Sequence, residues 1–135
     1  MVKNFQRDIN LLMKINMEID KLSRTLSRFG VKNQSDILND EDILDLCAFR
    51  VFQIGELSKR LTDDSKSDLS FTSTISTAKL RDEIGHAYNT MNKYWLVSVV
   101  FMLIKPSIKT EIQNRIIRID YLPFLALFLA RITNL

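Results

Sequence analysis

The chain reads as an all-α protein: one domain over residues 1–135, folded as an up-and-down bundle of about four to six helices. Three observations predict it. Apolar residues recur at intervals of three and four through most of the chain, the period of helices that bury one face. No stretch alternates apolar and polar residues as a half-buried strand does. Gly30 and Pro106 fall where helices should stop and start, matching the preference for glycine past a helix end and proline in a first turn. A hydrophobic share of 46% with 26% charged residues supports a true core and excludes disordered, collagen-like and disulfide-scaffold classes.

The first helix is expected from Phe5 through Ile9, Leu12, Ile15 or Met17, Ile19, Leu22 and Leu26 to Phe29, closed by Gly30 as a left-handed cap. VKNQS follows as a polar linker. Asn39 is placed as the cap of a second helix, with Asp42 as its capping-box partner. The apolar stripe of that helix is Ile43, Leu46, Cys47, Val51, Ile54, Leu57 and Leu61. Gly55 lies within it, either at a close approach of two helices or simply tolerated. Residues 62–77, TDDSKSDLSFTSTIST, form the best loop candidate, pinned by Leu69, Phe71 and Ile75. Leu80, Ile84, Ala87 and Met91 line a third helix, and a fourth runs from about Tyr94 to Ile104. Ile108, Ile112, Ile116 and Ile119 give the next helix its face, and Pro123 is expected to restart the chain into a short last helix ending near Arg131.

Charge is unevenly spread. Residues 1–34 hold seven Lys/Arg against three acids, residues 36–68 four against nine, and residues 105–135 five against two. Basic ends around an acidic middle can bind RNA phosphates or let copies of the chain, or an unlike partner, dock. The apolar runs at 94–104 and 121–130 fall short of the roughly 20 residues that span a bilayer, so no membrane association is expected; the second run is greasy enough to be covered by a partner subunit. The single cysteine, Cys47, excludes a disulfide framework and favours a reducing, cytoplasmic setting, with the thiol serving as a small buried hydrophobe.

Most chemistries can be excluded. One histidine and one cysteine cannot make a His/Cys zinc site or a redox pair. Three glycines leave no phosphate-cradling loop, and NDED at 39–42 lacks calcium-loop spacing. Neither a metal nor a cofactor is therefore expected. RDEIGHAY, residues 81–88, remains. An imidazole moves protons near neutral pH, and a guanidinium holds phosphate oxygens through two parallel donors. Arg81 and His86 thus supply the minimum for cutting RNA without a metal. At about 100° per residue they lie about 140° apart on a regular helix. Either Gly85 loosens the turn, or two subunits set their motifs face to face across a shared cleft.

This R-x4-H spacing resembles the signature of the HEPN superfamily, all-helical domains that include metal-independent ribonucleases. Its continuation to R-x4-H-x-Y is similar to the HepT family, the toxins of HepT/MntA toxin–antitoxin pairs. RVFQIGELSKRL, residues 50–61, adds the I-G-E segment typical of that family, and order and lengths match over roughly residues 1–120. The resemblance implies a homodimeric endoribonuclease toxin with Arg81 and His86 as catalytic pair. Asp82, an i,i+4 neighbour of His86, would orient the imidazole or favour its charged form, and Gly55 and Glu56 would give packing or support to the motif. Tyr88 would be the tyrosine that a cognate MntA-like minimal nucleotidyltransferase modifies with AMP to silence the toxin. The apolar ending YLPFLALFLA departs from the family pattern. Two rival readings stand beside this one: a non-catalytic helical partner of a nucleotidyltransferase, and a structural interaction bundle with a satisfied histidine.

Overall fold

The computed structural model of the chain describes residues 2–75 and 93–133. Among these are six helices: α1 (Val2–Arg28), α2 (Gln34–Leu38), α3 (Glu41–Lys59), α4 (Asp63–Ser67), α5 (Lys93–Leu103) and α6 (Pro106–Thr133). No strand occurs among the described residues, so the all-α expectation holds for them. The third helix expected over residues 80–91 lies outside them.

The predicted stripe of α1 is its buried face: Leu12, Ile15, Ile19, Leu22 and Leu26 enter the core. Of the two alternatives at its centre, Ile15 is buried and Met17 is exposed. Gly30 closes the helix at φ 70°. Its N–H donates to the Ser27 carbonyl at 3.1 Å and that of Val31 to Leu26 at 2.9 Å, the paired bonds of a glycine-terminated helix. Phe29, expected in the stripe, falls beyond the last helical turn and is exposed.

The linker expected at 31–35 runs into the short helix α2, capped by Asn33 and Asp36 in a reciprocal box. This shifts the next start by one residue: Asn39 ends α2, and Asp40, not Asn39, caps α3 by accepting from the N–H groups of Asp42 and Ile43. On α3, Ile43, Cys47, Val51 and Ile54 are buried as expected, whereas Leu46 is exposed. Within the expected loop, Thr62 caps the one-turn helix α4, and Leu69, Phe71 and Ile75 are buried anchors.

α5 is nearly apolar and buries Leu96, Val97, Val99, Val100 and Leu103. Pro106 takes the first position of α6, where its missing N–H costs nothing. The helix then runs unbroken through Pro123 to Thr133; the expected restart does not occur. An interior proline costs about 3 kcal/mol, and the Leu- and Ala-rich residues around it are strong enough helix formers to carry the chain through. At about 1.5 Å per residue α6 is roughly 42 Å long. Its first half buries Ile108, Ile112 and Ile119, while Tyr121, Leu125 and Leu127 to Ile132 are exposed. α1 packs against α3 and α6, α3 also against α5, and α2 against α3 and α5.

Candidate functional site

Of the residues singled out in the sequence, Arg81, Asp82, His86 and Tyr88 lie outside the described residues. The described chain defines what brackets them. Ile75 and Leu96, on either side in the sequence, are both fully buried.

The approach to the motif is held by a polar clamp. Asp8, wholly buried on α1, accepts from the Thr62 N–H at 3.1 Å, from Thr62 Oγ1 at 2.6 Å and from Ser65 Oγ at 2.5 Å. Arg115 Nε of α6 donates to the same Ser65 oxygen at 3.0 Å. Arg115 and Arg118 then both face the Asp68 carboxylate, at 3.6 and 2.5 Å. Two residues on, the N–H and hydroxyl of Ser70 each donate to Glu111 at 2.7 Å. A buried carboxylate is tolerated when it is well hydrogen-bonded, and Asp8 accepts three hydrogen bonds and is linked to Arg115 through Ser65. The clamp fixes residues 62–70 against α1 and α6. The sequence reading missed it, although Asp8 sits in the middle of the apolar stripe of α1 and could have been noticed as a buried acid needing partners.

Glu56 is the one predicted site side chain that is described. It lies half-buried on α3 beside the buried Gly55, and its Oε1 is sealed from solvent with no hydrogen-bond partner among the described residues. An acceptor left in that state costs about 1–3 kcal/mol; Asn16 Oδ1 is buried in the same way.

Cys47 is buried, and desolvation pushes its thiol up to about 12, the inert hydrophobe expected. Among the described residues no group of three or more His, Cys, Asp or Glu could hold a metal ion, and no helix is long and apolar enough to cross a membrane. Comparison with protein-family models, with curated proteins and with solved structures finds no match.

Proposed function

We propose that this chain is a metal-independent endoribonuclease of the HEPN type, resembling HepT toxins, that works as a homodimer and is silenced by AMP transfer to Tyr88 from an MntA-like nucleotidyltransferase. What carries the reading is the R-x4-H-x-Y motif of residues 81–88 in the same chain as the I-G-E segment, whose Glu56 has a buried carboxylate oxygen without a hydrogen-bond partner among the described residues. Motif support gives that oxygen a reason to be kept.

In the proposed reaction His86 takes the proton of a ribose 2′-hydroxyl as that oxygen attacks the adjacent phosphorus. Arg81 holds the non-bridging oxygens as negative charge grows on them. The bond from phosphorus to the 5′-oxygen breaks, and the leaving oxygen takes up a proton. The products are a 2′,3′-cyclic phosphate and a 5′-hydroxyl. AMP on Tyr88, two residues past His86, would block the strand through bulk and negative charge. The apolar outer face of α6 supports the homodimer, since a helix with apolar residues on both sides is ordinarily covered on both. A cytoplasmic setting suits the lone reduced thiol of Cys47.

End-group analysis of RNA cut in the presence of EDTA tests the chemistry. The reading requires cyclic phosphate and 5′-hydroxyl ends at an undiminished rate. Ends bearing a 5′-phosphate, or activity abolished by EDTA, would reject it.

A further inference from the structure

The solvent face of α1 carries Arg7, Lys14, Lys21 and Arg28, one every seven residues. Seven residues fall about 20° short of two full turns, so the four lie within an arc of roughly 60°, turned away from the buried stripe of Leu12, Ile15, Ile19 and Leu26. At about 1.5 Å per residue the row is roughly 31 Å long.

Other elements add to the same face. Arg60, at the end of α3, lines a groove of about 360 Å³ with Gln6, Arg7, Asn10 and Lys14. Farther along, Lys109 of α6 joins Lys21, Ser23 and Arg24 around a second groove of about 480 Å³. The flanking acids are already engaged: Glu18 pairs with Arg50 at 2.8 Å and Lys21 at 3.5 Å, and Asp20 with Lys109 at 3.3 Å. Arg7, Lys14, Arg24 and Arg28 form no ion pair among the described residues.

We infer that this face is a docking surface for the phosphodiester backbone of a single RNA strand. A stacked strand carries one charge per about 3.4 Å, so the row spans roughly nine nucleotides. Cations in line, with the short polar side chains Gln6 and Asn10 beside Arg7 and Lys14, are what phosphate contacts use. A protein partner would call for an apolar centre, whereas the large exposed hydrophobics near the row among the described residues are Met13, Met17 and, at its end, Phe29. The inference rests on the nuclease reading only in naming RNA as the strand. It assigns the strand's grip to α1, apart from the motif that would cut it.

The test is fluorescence anisotropy of the full chain with a labelled 2′-O-methyl RNA 12-mer, which cannot be cut because the attacking hydroxyl is blocked, over a series of salt concentrations. For single strands the slope of log K against log salt is about −0.7 per phosphate neutralised. Arg7→Gln/Lys14→Gln and Lys21→Gln/Arg28→Gln should therefore each flatten the slope by about 1.4, while Arg131→Gln leaves it unchanged. DNA of the same sequence should follow the same slope, because the contact is to phosphate. Slopes equal to wild type in both double variants would overturn the inference. So would DNA binding tenfold tighter than RNA, or salt-sensitive self-association lost in the variants without RNA binding, which would give the face to the acidic middle of a second copy. Tight, slope-sensitive binding by a protein that never cuts unmodified RNA would keep this surface and reject the nuclease; cleavage with unaltered slopes would do the reverse.

Discussion

Ser65 joins Asp8 to Arg115: its hydroxyl donates to the Asp8 carboxylate at 2.5 Å and accepts from Arg115 Nε at 3.0 Å. One hydroxyl thereby couples a buried acid of α1 to a buried cation of α6. Asp8→Ala would leave the Thr62 N–H and the hydroxyls of Thr62 and Ser65 without their shared acceptor. Breaking such a network from one side costs about 3–5 kcal/mol, so the urea midpoint should fall steeply. Lys14→Ala, on the exposed face of the same helix, should stay within about 0.5 kcal/mol. Equal midpoints for the two variants would show that the clamp holds nothing.

Cys47 gives a pH-dependent prediction. Burial raises its thiol from the ordinary 9.0 to about 12, so above pH 9 the unfolded chain loses this proton while the folded chain keeps it. Unfolding is thereby favoured, and the thiol's contribution to stability is present below pH 9 and lost as pH rises toward 12. Cys47→Ala should remove part of the stability loss seen between pH 9 and 11 in thermal melts. At pH 8 the native thiol should resist a soluble disulfide reagent that reacts at once in denaturant; rapid native reaction would contradict its burial.

The outer face of α6 carries Ile117, Tyr121, Leu125, Phe128, Leu129 and Ile132, each at least half exposed, within an arc of roughly 120° at about 100° per residue. Six large apolar residues exposed to that degree leave on the order of 600 Å² per copy, or about 1,200 Å² for a pair, the lower edge of a specific interface. Wild-type protein should sediment as a dimer and Leu125→Asp/Phe128→Asp as a folded monomer. A dimer that survives the double variant would place the interface elsewhere.

How much was legible in the sequence follows from the length and period of each element. α1 and α3 were readable because an apolar period of three and four repeats through several turns, and α5 because residues 94–104 form a nearly continuous apolar run. α2 and α4 were not, because five residues are too few to show a period and only their caps, Asn33 and Thr62, announce them. Pro123 misled because a local breaker was weighed without the strong helix formers around it. Leu46 reads as core by spacing, yet the structure leaves that edge of α3 open. The Asp8 clamp joins residues more than fifty positions apart, a relation that no local spacing encodes. Of the candidate site, the proposed chemistry rests on the sequence of residues 81–88 alone, whereas the state of the Glu56 carboxylate required coordinates.

Glu56 should separate stability from function. Replacing an unsatisfied buried acceptor by an apolar side chain of similar length removes a desolvation cost of about 1–3 kcal/mol, so Glu56→Met should melt no lower than wild type. If the carboxylate supports the motif, the same variant should lose most RNA cleavage. A variant that melts several degrees lower while cutting normally would make Glu56 a structural residue.

The central claim, that the lone histidine is half of an active site, is tested most directly by comparing RNA cleavage by the wild-type chain with that by His86→Ala at matched concentration, with thermal melts run on both. The account predicts cleavage by the wild type, loss of at least about a hundredfold in the variant, as expected for removal of a general base, and melting within about 1 kcal/mol of wild type. Equal cleavage by both proteins, or no cleavage by wild type together with unfolding of His86→Ala, would contradict it and make His86 a packing residue.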